Sequence, residues 1–474
     1  MKNILKNSSF KLNNLLNSFS ISNNINKQFY HSKYLILGGG TGGISVANQL
    51  LEEKVVNNPK DITIVDRSDS HFYQPGYTKI GGGVYDYKTS GSLVKYDLNK
   101  LTERFNFKND KANEIIASQN KVVLDNEDIT YDNLVISTGL QVDVNGIPGL
   151  EDLLENSKSN VCSIYTYDYA IKTAQLRERF QGGVALFTQP PAPIKCAGAP
   201  QKIMYLSDAY WKNKGITADV HFYLALGQIF GVKYYSDELE KIADSKGLIR
   251  HYKHKLIGFK DSETAIFENM DTKETSEHKF SFCHVTPPMK APDVIKNSKE
   301  IIDDTGFVDI DSSMRHNKYE NVWAIGDSTT LPNSKTAAAI FSQAPVLVSN
   351  MKSNSRTYKY GGYTACPLFL GNKDLMLAEF SQYKLDNGEV KTDITETFFK
   401  DNQNSRSKFG YIMTYSLGYL YNLTHYGKWF GKYTIVNPIT KKNLPTLIAI
   451  AVIAGILNYF ILLEMIKLYK LIKA

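Results

Sequence analysis

The sequence predicts an α/β chain with two Rossmann-like dinucleotide-binding domains, the second inserted into the first, followed by membrane-associating C-terminal helices. Three observations predict this fold class. A glycine-rich turn joins a strand to a helix near residue 40, a second strand-to-helix unit near residue 190 has prolines in the corresponding turn, and a long apolar segment lies close to the C-terminus. The chain is 42% hydrophobic and 22% charged, which is typical of a folded protein and excludes a disordered one.

The glycine-rich turn begins where the apolar run YLILG ends. The pattern G-x-G-x-x-G falls on Gly38, Gly40 and Gly43, with Gly39 inside the turn, and an amphipathic helix follows. The next strand, DITIVD, ends at Asp66. Glycines at these positions let backbone N–H groups approach a pyrophosphate, and the acid accepts a hydrogen bond from a ribose hydroxyl. The combination indicates a dinucleotide without a 2′-phosphate.

Two further strands favour FAD over NAD as that dinucleotide. YDNLVISTG ends at Gly139, and NVWAIGDST places Asp327 at the carboxyl end of a buried strand. Together with the glycine-rich turn, these strands resemble those of the two-dinucleotide-binding-domain flavoproteins. The resemblance implies FAD as the cofactor, with Asp327 on the flavin ribityl chain and with Lys335 and Thr336 at the pyrimidine edge of the flavin. For Asp327 the alternative is a helix cap.

The second strand-to-helix unit has lost the glycines. Its strand GGVALFTQP leads into a turn that contains Pro190, Pro191 and Pro193. Proline has no N–H to offer a pyrophosphate and cannot adopt the required turn. We therefore expect a second domain that keeps the Rossmann-like fold as a degenerate NAD-type domain and does not bind NAD(P)H.

The four cysteines are too few and too far apart for a disulfide scaffold or a CxxC motif, and no metal site is expected. Cys196 stands just before a predicted helix N-terminus and adjoins Lys195, and both features lower a thiol pKa. Cys366 is expected in a second loop, where it is followed by proline. Cys162 and Cys283 lie in or beside apolar runs and are expected to be inert core residues.

The net charge of +7 is concentrated at the two ends of the chain. Residues 1–33 contain lysine, serine and asparagine but no acid, which is typical of a mitochondrial transit peptide; the alternative is a leader without an address. Residues 402–474 contain nine Lys and Arg residues but a single acid, Glu464. Within them, 444–463 is uncharged and long enough to span a bilayer or to lie in it, the alternative being a buried core helix. Because the basic residues are not on the folded body, nucleic acid is not an expected partner.

Six short strings resemble the eukaryotic mitochondrial sulfide:quinone oxidoreductases, and they are spread over residues 34 to about 400. The strings are HFYQPG (71–76), IKCAGAPQKIMYL (194–206), HVTPPM (284–289), GDSTTLPNSKTAAA (326–339), GYTACPL (362–368) and LMLAEF (375–380).

This resemblance implies a redox-active disulfide between Cys196 and Cys366. Hydrogen sulfide would leave a persulfide on Cys366, and two electrons would pass through FAD to ubiquinone. A small acceptor, glutathione or sulfite, would take the sulfane sulfur, and the protein would attach to the lipids of the mitochondrial inner membrane. The resemblance also implies FAD contacts from Gln74, for which a turn residue is the alternative, and from the backbone near Ala112.

The order of the motifs predicts five segments. They are a transit peptide (1–33), an FAD domain in two pieces (34–150 and 287–345), a second Rossmann-like domain (151–286), a flavin-covering region with Cys366 (346–400) and a membrane-attachment region (401–474).

Three other functions fit part of the sequence. A type II NADH:quinone oxidoreductase is disfavoured by the prolines in the second turn. A catalytically inactive flavoprotein that serves as a membrane scaffold would not need Cys196 and Cys366. A soluble disulfide reductase would carry its cysteines as a CxxC or CxxxxC pair, which this chain lacks.

Overall fold

A computed structural model describes residues 29–395 and 405–427 of the chain. Most of the expected leader and the apolar segment 444–463 lie outside these residues. Within the described part, no helix is both long enough and apolar enough to cross a membrane.

The N-terminal part of the chain builds a seven-stranded sheet in the order β5-β2-β1-β8-β7-β6, and the seventh strand, β19 (Val322–Ala324), also pairs with β8. Strands β5, β2, β1, β8 and β19 are parallel, and β6 and β7 form an antiparallel hairpin beside β8. Three consecutive residues of β1 are fully buried, as in a central strand that is covered on both faces. The elements are β1 (Phe29–Leu37), α1 (Thr41–Glu52), β2 (Ile62–Asp66), β3 (Ser70–Phe72), α2 (Pro75–Gly81), β4 (Lys95–Asp97), α3 (Leu98–Thr102), β5 (Asn106–Asn109), β6 (Ala112–Ile116), β7 (Lys121–Leu124) and β8 (Asp128–Ile136).

The middle of the chain builds a second parallel sheet of five strands in the order β10-β17-β11-β12-β13. A three-stranded antiparallel sheet, β14-β15-β16, follows β13. The elements are β9 (Gln141–Val142), α4 (Leu150–Glu155), β10 (Val161–Cys162), α5 (Tyr167–Arg179), β11 (Gly183–Gln189), α6 (Ala199–Asn213), β12 (Ala218–Leu224), α7 (Lys233–Lys246), β13 (Ile249–Tyr252), β14 (His254–Asp261), β15 (Thr264–Asn269), β16 (Thr275–Lys279) and β17 (Phe282–His284).

The chain then returns to the first sheet through β19 and continues into a third, antiparallel sheet, β20-β21-β22, which packs on α6. The elements are β18 (Met289–Lys290), α8 (Asp293–Asn297), β19 (Val322–Ala324), α9 (Ala337–Ser353), β20 (Tyr363–Gly371), β21 (Asp374–Lys384), β22 (Val390–Ile394) and α10 (Lys408–Leu420). A 3₁₀ turn, Tyr421–Tyr426, follows α10.

Two element boundaries differ from the segments expected from the sequence. Strand β1 begins at Phe29, inside the segment 1–33, because its first residues pair with β8 and extend the central ladder. Helix α9 continues through residues 345 and 346, where the boundary between two segments was expected, and Pro345 lies inside the helix. The two-piece FAD domain, the inserted second domain and their limits stay predictions.

Candidate active site

The glycine-rich turn joins β1 to α1 at the centre of the first sheet. A Cβ atom added at Gly43 would lie 1.9 Å from the carbonyl oxygen of Gly38, so only glycine lets α1 begin this close to the strand. At Gly40, by contrast, an added Cβ would meet no protein atom within 4 Å. The turn therefore leaves open space beside the N-terminus of α1, where a helix favours an anion.

Asp66 ends the neighbouring strand β2 and fastens this turn. Its Oδ2 accepts a hydrogen bond of 2.7 Å from the backbone N–H of Gly39, and its Oδ1 accepts one of 2.8 Å from Ser68. Burial raises the pKa of Asp66, while these two N–H groups act in the opposite direction. The carboxylate thus stands at the edge of the turn, the position expected for the ribose contact.

The ends of β8 and β19 lie beside the turn, since both strands are parallel to β1. Gly139 follows β8, and an added Cβ there would also meet no atom within 4 Å. Asp327 lies in the short turn after β19, and burial raises its pKa, opposed by the ammonium groups of Lys335 and Lys195. Lys335 donates a hydrogen bond of 2.8 Å to the carbonyl of Thr329.

Helix α9 begins next to Asp327, with Thr336 as its N-cap. The Thr336 hydroxyl accepts a hydrogen bond from the N–H of Ala339 and lies 2.7 Å from the hydroxyl of Thr364 on β20. The N-terminus of α9 therefore stands between the first sheet and the strand that carries Cys366.

Gln74 and Ala112 lie at the margin of this region. Gln74 precedes α2, and its side chain is exposed. Ala112 is the first residue of β6 and is half-buried. Their contacts with FAD stay predictions.

The two cysteines singled out by the sequence meet between the second and third sheets. Cys196 lies in the loop between β11 and α6 with a left-handed φ of 49°, and Cys366 is a buried residue of β20. Their sulfur atoms are 3.8 Å apart. A Cβ at Gly198 would lie 2.5 Å from Sγ of Cys366, so a glycine in the loop is needed for this approach.

Lys202, on the first turn of α6, donates a hydrogen bond of 3.3 Å to Sγ of Cys196. The hydrogen bond from Cys366 lowers the pKa of Cys196 to about 5; Lys202 and the N–H of Gly198 act in the same direction, against burial. The same hydrogen bond, together with burial, raises the pKa of Cys366. Burial opposes protonation of Lys202, but the two cysteines outweigh it and raise the lysine pKa. In the reduced pair, Cys196 is thus the thiolate and Cys366 the thiol that donates to it.

One backbone hydrogen bond ties the cysteine loop to the first sheet. The N–H of Cys196 donates to the carbonyl oxygen of Lys335 at 2.7 Å, and Lys195 and Lys335 form a parallel β-bridge. Cys196 is thus fixed beside the N-terminus of α9, which is the segment expected to face the flavin ring.

The chain was compared with known families, sequences and structures. Residues 32–180 match the family described as pyridine nucleotide-disulphide oxidoreductase. The mitochondrial sulfide:quinone oxidoreductase of Dictyostelium discoideum is 38% identical over 419 residues, which cover 86% of this chain and 89% of that protein. The chain belongs to the mitochondrial sulfide:quinone oxidoreductase family.

One further relative and one solved structure are similar to the chain. The mouse mitochondrial sulfide:quinone oxidoreductase is 38% identical over 85% of this chain and 88% of that protein. The crystal structure of the sulfide:quinone oxidoreductase from Aquifex aeolicus superposes with a TM-score of 0.67 at 19% identity, covering 84% of this chain and 92% of that chain. At this identity, the structural match shows that the fold is shared.

Members of this family are FAD-dependent flavoproteins, and the residues present fit that cofactor. The open space at Gly40 and Gly139 is the room that a bound dinucleotide needs. Two buried hydroxyl oxygens beside it, Oγ1 of Thr138 and Oγ of Ser328, have no hydrogen-bond partner within the described chain. Buried hydroxyls normally have such partners, and the polar atoms of FAD would provide them.

Two expectations about the cysteine site were wrong in detail. Cys366 lies in strand β20 and not in a loop, because residues 363–371 pair with β21 in spite of Pro367. The lysine at Cys196 is Lys202 and not the adjacent Lys195, whose charge acts on Asp327 instead. The position of Lys202 one turn into the predicted helix was the signal that could have identified it, since a first-turn side chain lies near the residue before the helix.

The remaining two cysteines are core residues, as expected. Cys162 and Cys283 are fully buried on neighbouring strands of the second sheet. Burial raises the pKa of Cys162 to about 12 and raises that of Cys283 further above its ordinary value. Both thiols are therefore protonated and inert at neutral pH.

Proposed function

We propose that Cys196 and Cys366 are the redox pair through which this chain oxidises hydrogen sulfide. As a member of its family, the chain is an FAD-dependent, mitochondrial sulfide:quinone oxidoreductase. The observation that carries the assignment of the pair is the 3.8 Å approach of the two sulfur atoms beside Lys202. Of the four cysteines, all within the described residues, Cys196 has a lowered pKa, whereas the pKa values of Cys162, Cys283 and Cys366 are raised.

In the oxidised pair, HS⁻ attacks Sγ of Cys366. The Cys196–Cys366 bond breaks, its electron pair stays on Sγ of Cys196, and the new S–S bond is a persulfide on Cys366. A thiolate leaves faster when its pKa is low, and Cys196 has the lower pKa of the two. Lys202 and the N-terminus of α6 stabilise the charge that develops on Cys196.

A small nucleophilic acceptor, glutathione or sulfite, then attacks the outer sulfur of the persulfide. The S–S bond breaks with its electron pair on Sγ of Cys366, which takes up the proton of the persulfide and becomes a thiol, and the acceptor carries the sulfane sulfur away. Loss of two electrons and the remaining thiol proton from the pair restores the disulfide. Cys366, buried in β20, is thereby returned to the state in which it accepts the next sulfide.

FAD, when bound, accepts that electron pair and passes it to ubiquinone. We assign the pyrophosphate side of the cofactor to Gly38, Gly39, Gly40 and Gly43, and the ribose to Asp66. The flavin side is assigned to Gly139, Asp327, Lys335 and Thr336. The hydrogen bond between Cys196 and Lys335 then fixes the thiolate next to the residues that hold the flavin.

Attachment to the inner mitochondrial membrane is proposed from the polarity of α10. Its buried face consists of the small residues Gly410, Thr414 and Gly418. Its outer face exposes large apolar side chains, among them Phe409 at 65% and Ile412 at 55% exposure. A helix on the water-exposed surface of a protein buries its large apolar side chains and exposes polar ones. Helix α10 does the reverse, so its outer face suits lipid. The basic residues beyond it, up to Lys473, suit anionic headgroups.

The test is an anaerobic titration of the flavoprotein with sulfide in the presence of sulfite as the sulfur acceptor, followed by absorbance, for the wild type and for Cys196→Ser, Cys366→Ser and the core control Cys283→Ala. We expect sulfide to bleach the flavin in the wild type and the control, and ubiquinone to restore it. Both serine variants should retain FAD and fail to bleach. Bleaching by NADH, or normal bleaching of the serine variants by sulfide, would contradict the proposal.

A further inference from the structure

The last described turn of the chain packs against the dinucleotide site. Tyr421, which ends α10 and begins the 3₁₀ turn, is fully buried. Its hydroxyl oxygen lies 2.7 Å from Nε2 of His71 and 2.8 Å from Oγ1 of Thr41. Thr41 is the first residue of α1, directly after the glycine-rich turn. A residue far along the chain thus touches both sides of that turn.

The direction of each hydrogen bond follows from the chemistry of His71. Its Nδ1 lies 2.7 Å from the carbonyl oxygen of Gly39, which can only accept, so Nδ1 carries the proton. Burial lowers the pKa of His71 to about 4, which leaves the ring neutral and makes Nε2 an acceptor. The Tyr421 hydroxyl therefore donates to Nε2, and the Thr41 hydroxyl donates to the tyrosine oxygen.

This series of hydrogen bonds also holds the backbone of Gly39 in place. The N–H of Gly39 donates to Asp66 and its carbonyl accepts from His71, so side chains hold both backbone polar groups of this residue. Buried hydrogen bonds of this kind strengthen one another and select one conformation. The contacts that define the turn thus run from Asp66 through Gly39, His71 and Tyr421 to Thr41.

We propose that Tyr421 is a positioning residue for the dinucleotide turn, acting through His71 and Thr41, so that docking of segment 405–427 preorganises the FAD site. The proposal rests on the assignment of the turn to the FAD pyrophosphate. A turn held in its binding conformation before FAD arrives lowers the ordering cost of binding. FAD affinity therefore depends on a segment that the proposed membrane-facing helix α10 carries.

The test compares FAD binding by the apoproteins of the full chain, measured by quenching of flavin fluorescence. Tyr421→Phe removes only the hydroxyl and should weaken FAD binding roughly tenfold. The matched control is Tyr235→Phe. Tyr235 is equally buried, and its hydroxyl also makes two hydrogen bonds, at 2.8 and 3.0 Å to the backbone of Glu379, away from the turn. The control should lose thermal stability to a similar extent and keep the FAD affinity of the wild type.

A second variant makes the result specific to the hydrogen-bond chain. His71→Gln should weaken FAD binding like Tyr421→Phe, and the double variant should lose little more than either single variant, because all three break the same chain. Because Tyr421→Phe and His71→Gln break the same chain of hydrogen bonds, either variant tests the proposal if the other fails to fold. Unchanged FAD affinity in Tyr421→Phe, or fully additive losses in the double variant, would overturn the proposal.

Failure of the underlying site assignment gives a different result. Gly40→Ala puts a methyl group into the open space of the turn and should lower FAD affinity roughly 100-fold. If Gly40→Ala binds FAD normally, the assigned turn is wrong and the role of Tyr421 falls with it. If Gly40→Ala loses FAD but Tyr421→Phe does not, only the role of Tyr421 is wrong.

Discussion

Each of the two parallel sheets has a central strand that leads through a turn into a helix. The N-termini of these two helices suit different anions. After β1, the turn is short and rich in glycine, and the N-terminus of α1 faces open space. After β11, the turn is longer and contains three prolines, and Cys196 occupies it just before α6. The first helix N-terminus suits the pyrophosphate of a ligand, whereas the second stabilises a thiolate of the protein itself.

On the proposed assignment of the cysteine pair, the difference turns a dinucleotide-binding unit into a redox site without a change of fold. Prolines remove the N–H groups that a second nucleotide would need. The left-handed φ of Cys196 and the glycine at 198 then bring its sulfur to β20, where Cys366 meets it. Left-handed non-glycine residues are uncommon and concentrate at functional sites, which agrees with this reading.

The largest effect is expected from breaking the first turn. Gly40→Ala should lower FAD affinity roughly 100-fold while the apoprotein keeps its thermal stability, because the added methyl meets no protein atom but enters the space assigned to the ligand. Gly231→Ala, whose added methyl also meets nothing, is the matched control and should bind FAD normally. Fluorescence titration of the two apoproteins with FAD measures both. Equal affinities would mean that the open space does not belong to the cofactor.

A smaller effect is expected from the second turn. Lys202→Met removes the cation at Cys196, so the pKa of that thiol rises from about 5 toward its ordinary value and the thiolate is lost at low pH. We expect alkylation of reduced Cys196 by iodoacetamide to begin at higher pH, and sulfide-dependent turnover at pH 7 to fall about tenfold. Lys212→Met, on the exposed end of the same helix, is the control. An alkylation profile that does not move would show that Lys202 has no part in stabilising the thiolate.

The smallest effect is expected from the exposed apolar face of α10, which is proposed to contact the membrane. Phe409→Ser combined with Ile412→Ser removes two exposed apolar side chains of α10 and should raise the KM for ubiquinone embedded in vesicles about threefold. The KM for a short-chain, water-soluble quinone should stay the same. Val390→Ser removes an exposed apolar side chain from β22 and should change neither value. A parallel rise in both KM values would place the effect at the quinone site instead of the lipid contact.

Local sequence patterns predicted the first turn and separated Cys196 and Cys366 from the two core cysteines, whereas the pairing of Cys196 with Cys366 came from the family resemblance. A strand, three spaced glycines and an acid at the end of the next strand are all local signals. The structure joins Asp66 to the N–H of Gly39 in this turn, and the ribose contact of Asp66 stays a prediction. The prolines around Cys196 were equally visible. These local signals do not show which distant residue each side chain contacts in the folded protein.

Contacts between distant residues account for what the sequence did not reveal. Cys366 was expected in a loop because proline follows it, but pairing with β21 places it in a strand. Lys202 was overlooked in favour of Lys195, which is next to Cys196 in the sequence. The contact of Tyr421 with His71 joins residues 350 positions apart, and neither residue stands in a motif that names the other. Such pairs depend on packing, which spacing along the chain does not encode.

The central claim is tested most directly by locating sulfur on the protein after one turnover. The oxidised enzyme would be mixed anaerobically with one equivalent of sulfide, without quinone or acceptor, then alkylated and mapped by mass spectrometry. We predict one additional sulfur on Cys366, alkylation of Cys196 as a thiolate, and no modification of Cys162 or Cys283. A persulfide on Cys196, or no persulfide on either member of the pair, would contradict the assigned roles of the two cysteines.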